Sequence, residues 1–196
     1  MGNNQQTRND SKIKNEFKTK SRFLSLVLRH KPELINLQME KDGWVLVDLL
    51  IEKIQTKGFI ISKEELELIV ATNDKKRFSF NETKTKIRAN QGHSIDVDLG
   101  LEKSIPPEIL YHGTAEKNLT SIFENGIQKQ KRNHVHLSST IENAMNVGKR
   151  HGKPKVLEVL SGEMHRDGFE FYISANHVWL TDFVPKNYIV QNSKSN

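Results

Sequence analysis

Two short polar segments in the first half of the chain contain residue types that bind phosphate. Arg29-His30 follows an apolar helical pattern, and the segment 88–94 (Arg-Ala-Asn-Gln-Gly-His-Ser) follows a β-prone run. An arginine fork can hold a phosphate through two hydrogen bonds, and an adjacent imidazole can donate a hydrogen bond or a proton. The alternatives are a basic helix end, which the helix dipole favours, and a tight polar turn. We hypothesise that both segments face a ligand.

Two segments in the second half contain histidines that could contact a nucleotide. His112 ends a strand-like run just before Gly113, where a ligand can approach the backbone closely. His134 and His136 share one face of a predicted strand with Arg132. Two histidines at this spacing can bind zinc, but no cysteine or nearby acidic residue completes such a site. Binding of an anion or a ribose fits the neighbouring arginine and serine better.

The composition excludes several classes of protein. The 196 residues include no cysteine, which rules out disulfides, thiolate metal sites, iron–sulfur clusters and a cysteine nucleophile. Hydrophobic residues make up 35% of the chain, and no run approaches the roughly 20 apolar residues of a membrane span. No secretory signal is visible, so we expect a cytoplasmic protein that does not contact membranes. A net charge of +6 favours an anionic partner such as nucleic acid or a nucleotide.

The first domain is predicted to span residues 15–103, after a disordered polar arm at residues 1–14. Hydrophobic periodicity, capping residues and turn signals predict the following elements: a helix that ends near Arg29, a strand at 44–47, a helix capped by Asp48, a helix from the capping residue Ser62 to about Thr72, and strands at 77–80 and 86–89. Three helices followed by a hairpin is the element order of a winged-helix module. Such modules bind nucleic acid in some proteins and other proteins elsewhere.

The second domain is predicted to span residues 104–196, because two adjacent prolines at 106–107 interrupt both helix and strand. It contains many short strands and few helices: strands at 109–112, 135–137, 156–159, 169–173, 178–180 and 188–190, with helices at 117–124 and 141–150. This pattern predicts an α+β fold built on a mainly antiparallel sheet. Trp44 and Trp179 are predicted to anchor the cores of the two domains.

Together these segments resemble the RNA 2′-phosphotransferase family, the KptA-type relatives of tRNA 2′-phosphotransferase. The similar segments occur in family order from about residue 20 to residue 190: 21–25 (Ser-Arg-Phe-Leu-Ser), 28–32 (Leu-Arg-His-Lys-Pro), 42–45 (Asp-Gly-Trp-Val), 87–94, 110–114 (Leu-Tyr-His-Gly-Thr), 134–138, 152–154, 164–168 and 178–181. So many ordered segments make the resemblance specific and nearly full length.

The resemblance implies a winged-helix RNA-binding lobe followed by an ADP-ribosyltransferase-like lobe that binds NAD. The family reaction removes an internal 2′-phosphate from RNA, as left at a ligated tRNA splice junction. First the 2′-phosphate attacks the nicotinamide ribose carbon of NAD and expels nicotinamide. Then the ribose 2″-hydroxyl attacks the phosphorus and releases 2′-hydroxyl RNA and ADP-ribose 1″,2″-cyclic phosphate. We expect a monomer that uses NAD as a co-substrate and needs no metal.

The resemblance also assigns candidate site residues. The family's essential quartet of three arginines and one histidine maps onto Arg29, His30, Arg88 and Arg132. Its implied contacts to NAD are His112 and His136, with Gly113, Thr114 and Ser138 as further candidates. The position that is often a glutamate in ADP-ribosyltransferases falls at Val178. This departure is similar to the phosphotransferase branch, and a carboxylate there would repel a phosphate acceptor.

Two other functions remain open at this stage. An ADP-ribosyltransferase that modifies nucleic-acid phosphates or other acceptors would share the first step of the reaction. A catalytically idle winged-helix RNA binder is a third hypothesis, against which the intact quartet argues. The sequence leaves undecided whether His30 acts as an acid or only positions the phosphate, and which RNA is the physiological substrate.

Overall fold

The structure, a computed structural model, describes the backbone of residues 3–191 and the side chains of residues 15–191. The chain divides into two compact units, Met1–Leu99 and Gly100–Asn196, close to the boundary predicted at residues 103–104. Each unit has its own hydrophobic core. Helices accompany antiparallel sheets in both units, so the expected α+β fold class is confirmed.

The first unit consists of three helices and a three-stranded antiparallel sheet in the order β1-β3-β2. Its elements are α1 (Asn3–Arg29), a 3₁₀ turn (Pro32–Ile35), β1 (Val45–Leu46), α2 (Val47–Gln55), α3 (Lys63–Ala71), β2 (Phe78–Phe80) and β3 (Lys86–Ala89). Leu24, Val27 and Leu28 of α1 are fully buried at helical spacing against the other elements. Burial of each such side chain stabilises the fold by about 1.5–3 kcal/mol.

Helix α1 is longer than predicted. The sequence predicted a disordered arm at residues 1–14, whereas the helix begins at Asn3 and includes residues 3–14. No proline or glycine interrupts residues 3–29, so nothing in the backbone stops the helix from continuing through the polar segment. No helix within residues 3–191 is long and apolar enough to cross a membrane.

The start of α2 differs from the prediction, whereas that of α3 agrees with it. Asp48 does not cap α2; the helix begins at Val47, whose backbone N–H donates to the carbonyl of Thr85 at 2.9 Å. The hairpin thus supplies the acceptor that a cap would otherwise provide. In α3, Ser62 is the N-cap, and its Oγ accepts a hydrogen bond from the backbone N–H of Glu65 at 3.2 Å.

The second unit is built from short strands around β7. Its elements are β4 (Leu110–Ala115), a 3₁₀ turn (Glu116–Asn118), α4 (Leu119–Asn125), β5 (Ile127–Gln128), β6 (Val135–Leu137), α5 (Ile141–Gly148), β7 (Pro154–Val159), α6 (Ser161–Arg166), β8 (Tyr172–Ile173), β9 (Trp179–Thr181), β10 (Phe183–Val184), a 3₁₀ turn (Lys186–Tyr188) and β11 (Ile189–Gln191). The strands form antiparallel sheets in the orders β11-β7-β4, β6-β9-β8 and β10-β5.

Strand β4 extends further than predicted. The sequence placed the strand end at His112, whereas β4 continues through Gly113 and Thr114 to Ala115. Both residues pair with β7, Gly113 with Val156 and Thr114 with Lys155. A reciprocal pair of backbone hydrogen bonds between Tyr111 and Ser138, at 2.8 and 2.9 Å, joins β4 to the end of β6. His112 and β6 are therefore neighbours.

Helix α6 and strands β5 and β10 were not predicted. The sequence of α6, Ser-Gly-Glu-Met-His-Arg, has no apolar period, and long-range contacts hold its start in place. The Oγ of Ser161 donates to the carbonyl of Pro107 at 2.7 Å, and the backbone N–H of Gly162 donates to the carbonyl of Glu108 at 3.0 Å. Local sequence does not encode such contacts, so a pattern search misses the element.

Candidate active site

Arg29 and His30 lie at the C-terminal end of α1, as predicted. The 3₁₀ turn that begins at Pro32 follows directly, because proline cannot continue the helix. The guanidinium of Arg29 donates from Nη2 to the carbonyl of Arg77 at 3.2 Å and lies 5.9 Å from the centre of the Phe78 ring. These contacts connect the end of the helix to the start of β2.

Arg88 lies on the central strand β3, and two neighbouring residues hold its guanidinium. Its Nη1 donates to the carbonyl of Asp42 at 3.3 Å, and the group stacks over the Trp44 ring at 4.6 Å. Gly43, with φ of +83°, makes the turn between these two contacts. Trp44 is half-buried and lies outside the core, so the prediction of a core anchor was wrong for Trp44. Trp179 does pack against the core of the second unit.

The segment after β3 packs against the end of α1. The backbone N–H of Ser94 donates to the carbonyl of Arg29 at 2.9 Å, and the Oγ of Ser94 lies 2.9 Å from Nδ1 of His30. Further back, Asn90 donates from its backbone to the carbonyl of Arg77 at 2.9 Å. The two polar motifs singled out in the first half of the sequence are therefore brought together.

His93 lies among the basic side chains of this unit. It is 1% exposed, and burial, together with the nearby Arg29, His30 and Arg88, lowers its pKa to about 4. The ring is therefore neutral at physiological pH. Arg29, His30 and Arg88 all lie near this buried ring. We call these three residues the basic cluster.

Acidification is expected to destabilise the first unit through His93. Its folded pKa of about 4 lies below the unfolded value of 6.5, so the unfolded chain binds the proton first. The neutral His93 ring therefore makes its full contribution to stability above pH 6.5. As the pH falls towards 4, the free energy of unfolding decreases by about 3 kcal/mol in total. Urea unfolding between pH 7 and 4, followed by Trp44 fluorescence in a Trp179→Phe background, measures this loss. His93→Gln should flatten the pH dependence, and equal slopes in both proteins would contradict the assignment.

The second unit brings His112, His136 and Arg132 together. Nδ1 of His112 lies 3.3 Å from the carbonyl of His136, and Nη1 of Arg132 lies 3.3 Å from Nδ1 of His136. A carbonyl only accepts and a guanidinium only donates, so Nδ1 carries a hydrogen in His112 and accepts one in His136. Burial lowers the pKa of His112 to about 4, so this ring is neutral, with Nε2 as its acceptor.

Gly113, Thr114 and Ser138 are all tied into the fold next to these histidines. A Cβ at Gly113 would lie 1.7 Å from the carbonyl oxygen of Ala144 in α5, so the glycine lets the helix approach the strand. Thr114 is buried, and its Oγ1 accepts a hydrogen bond from Nδ2 of Asn118 at 3.2 Å. The backbone of Ser138 makes the link to β4. The three residues border His112 and His136 in the structure, while their contacts to NAD stay predictions.

Replacing Gly113 with alanine is expected to destabilise the second unit by about 3 kcal/mol or more, because α5 must move away from β4. Chemical unfolding of the purified variant measures the loss. Gly100→Ala is the control: its φ is +62° but an added Cβ meets nothing within 4 Å, so a cost of only about 1 kcal/mol is expected. Equal stability losses in the two variants would show that the helix contact is unimportant.

Arg29, His30 and Arg88 belong to the first unit and Arg132 to the second. Ser94 and Trp44 contact this basic cluster and lie within segments that the sequence analysis singled out, but neither was predicted to be a site residue. Ser94 could have been found from its position a few residues after Arg88 in the same polar segment, whereas Trp44 adjoins no candidate residue in the sequence. Among the described side chains, no group of three or more His, Asp or Glu could hold a metal ion, and the expectation that none is needed stays a prediction.

Comparison with known proteins identifies the family. The family model described as RNA 2′-phosphotransferase, Tpt1 / KptA family, matches residues 15–183. A relative in Flavobacterium johnsoniae is 55% identical over 172 residues, which cover 88% of this chain and 94% of the relative. One in Fusobacterium nucleatum is 57% identical over 169 residues (86% and 94%), and one in Streptomyces coelicolor is 48% identical over 169 residues (86% and 92%). All three are named probable RNA 2′-phosphotransferases. The chain belongs to the RNA 2′-phosphotransferase, Tpt1 / KptA family.

Proposed function

We propose that the protein removes an internal 2′-phosphate from RNA, of the kind left at a ligated tRNA splice junction, in a reaction that consumes NAD. The products are 2′-hydroxyl RNA, nicotinamide and ADP-ribose 1″,2″-cyclic phosphate. The observation that carries this proposal is that Ser94, in the segment after Arg88, hydrogen-bonds to both Arg29 and His30 and so brings the basic cluster together. In a chain of this family, such a cluster is suited to hold a phosphate dianion.

The first step needs positioning more than it needs a base. The RNA 2′-phosphate already carries an anionic oxygen, which attacks C1 of the nicotinamide ribose as the bond from C1 to nicotinamide breaks. The guanidinium groups of Arg29 and Arg88 are held by Arg77, Asp42 and Trp44, so they can orient the phosphate without first being ordered themselves. Each guanidinium offers a fork of donors that fits two phosphate oxygens.

The second step places charge on phosphorus and on the departing oxygen. The ribose 2″-hydroxyl attacks the phosphorus and loses its proton to water, while the bond from phosphorus to the RNA 2′-oxygen breaks. Arg29 and Arg88 stabilise the charge that builds up on the phosphoryl oxygens. His30 donates a proton to the RNA 2′-oxygen, which leaves as a hydroxyl. Arg132 completes the quartet on the strength of the family resemblance.

The second unit supplies the residues that would hold NAD. The neutral His112 has Nε2 as an acceptor for a ribose hydroxyl, and His136, whose Nδ1 accepts from Arg132, carries its hydrogen on Nε2 as a donor. An acceptor on one ring and a donor on the other suit a ribose or an amide. These features support an ADP-ribosyltransferase-like lobe, and the three helices and sheet of the first unit support a winged-helix RNA-binding lobe.

The test uses a synthetic oligoribonucleotide with one internal 2′-phosphate, incubated with the full chain with and without NAD. Dephosphorylated RNA, nicotinamide and the cyclic ADP-ribose product are expected only with NAD, and mass spectrometry distinguishes them. The same oligonucleotide without the 2′-phosphate is the control and should release no nicotinamide. Stable ADP-ribosylated RNA as the end product would instead favour an ADP-ribosyltransferase. No nicotinamide release with either RNA would overturn the proposal.

A further inference from the structure

The hydroxyl of Ser94 lies within hydrogen-bond distance of the imidazole of His30. Ser94 Oγ and His30 Nδ1 are 2.9 Å apart, although the residues are 64 positions apart in the chain. A hydroxyl can rotate to donate to a bare Nδ1 or to accept from a protonated one. Ser94 can therefore keep the same contact before and after the ring gives up a proton.

The backbone around Ser94 makes this contact a fixed one. The N–H of Ser94 donates to the carbonyl of Arg29 at 2.9 Å, which joins the segment to the residue beside His30. At the other end of the segment, the backbone of Asn90 donates to Arg77 at 2.9 Å, and its Nδ2 donates to the carbonyl of Lys76 at 2.6 Å. Hydrogen bonds tie both ends of the segment 90–94 to neighbouring elements, so the Ser94 hydroxyl is held next to the His30 ring.

Two side chains of the segment are also buried. His93 is 1% exposed and Asn90 is 5% exposed. Gly92, at φ +85°, makes the turn that places His93 inside and Ser94 against α1. Burial of the residue next to Ser94 leaves the segment little freedom to move away from His30.

We propose that Ser94 is a positioning residue for the second step: its hydroxyl orients the imidazole of His30 towards the departing RNA 2′-oxygen. This inference rests on the proposed function, in which His30 donates the proton. Ser94 acts through His30 and does not touch the substrate. Removing the hydroxyl takes away this contact, so fewer rings point the proton towards the leaving oxygen.

The first test is a double-mutant cycle on the second step. Single-turnover reactions with 2′-phosphorylated RNA and NAD separate the appearance of ADP-ribosylated RNA from its conversion to products. Ser94→Ala is expected to slow that conversion about 10- to 100-fold, the usual range for losing a hydrogen bond to a charged group. In a His30→Ala background the same substitution should have no further effect. Equal slowing in both backgrounds would overturn the proposal.

Two variants serve as controls. Ser94→Thr keeps a hydroxyl on Cβ and is expected to restore most of the rate. Ser25→Ala removes a serine hydroxyl from the same unit, one turn before Arg29 on α1, where it donates to the carbonyl of Ser21 at 2.9 Å. This control should leave both steps unchanged. If Ser94→Ala also leaves both steps unchanged, the proposal is wrong.

A readout independent of activity is the ¹⁵N NMR spectrum of histidine-labelled protein. The His30 signals are those missing from the His30→Ala spectrum. In Ser94→Ala the Nδ1 shift of His30 should move, because its hydrogen-bond partner is gone; an unmoved shift would overturn the proposal. An inactive wild-type protein would count against the proposed function, whereas an active wild type with a normal Ser94→Ala would count only against the role of Ser94.

Discussion

Replacing Arg88 with alanine is expected to lower the rate of RNA dephosphorylation by about 100- to 1000-fold, the usual loss when one preorganised donor to a developing oxyanion is removed. The Asp42 carbonyl and the Trp44 ring hold the guanidinium in the folded protein, so the group is already in place when the phosphate binds. Single-turnover assays should show both steps slowed, because the phosphate must be held in each.

Two further variants make this prediction specific. Arg88→Lys keeps the positive charge but loses the planar fork and most of the stacking on Trp44, so little activity should return. Lys53→Ala removes one charge from α2, where the lysine pairs with Glu52 on the surface. This control should change the rate little, since surface ion pairs contribute little. Full activity in Arg88→Ala would remove Arg88 from the site.

Replacing His30 with alanine is expected to stall the reaction after its first step. The first step needs no proton donor, whereas the departing RNA 2′-oxygen does, and loss of a general acid usually costs 100- to 10,000-fold. ADP-ribosylated RNA should therefore accumulate, visible as a mass increase on the oligonucleotide. Circular dichroism and thermal unfolding check the fold of the variant.

The pattern of the loss decides between two roles for His30. If both steps slow together, His30 positions the phosphate and the acid role is wrong. If only the second step slows, a longer reaction should still convert the accumulated ADP-ribosylated RNA to products. The rate of that conversion should depend on pH differently in the variant and in the wild-type protein. Arg29→Ala is the contrast: Arg29 is proposed to hold the phosphate in both steps, so its loss should slow both.

Elements with strong local signals could be predicted from the sequence. The end of α1 before Pro32, the Ser62 cap of α3 and the hairpin β2–β3 all lie where the pattern placed them. Helix α6 could not be predicted, because its start depends on contacts with Pro107 and Glu108, more than 50 residues earlier in the chain. The cap predicted at Asp48 failed for a similar reason, since the Thr85 carbonyl takes the N–H of Val47.

The roles of two conspicuous residues also depended on contacts that the sequence does not show. Gly113 suggested a place for a ligand to approach the backbone, but in the fold the carbonyl of Ala144 occupies the space beside it. Trp44 was predicted to be a core residue, but its ring stacks against the guanidinium of Arg88. The prediction of a core anchor was wrong for Trp44, and at both positions only the tertiary structure identified the contact.

The sequence by itself determined which residues are the candidates for the proposed chemistry. Arginine forks and an imidazole are suited to a phosphate wherever they lie, so Arg29, His30 and Arg88 could be singled out from type, motif and family resemblance. Only the tertiary structure decided how they are held. The end of α1 is far in the chain from β3 and the segment 90–94 that follows it, and the hydrogen bonds of Ser94 with Arg29 and His30 bring them together. Pairing over such distances depends on the packing of the whole unit, which no local pattern encodes.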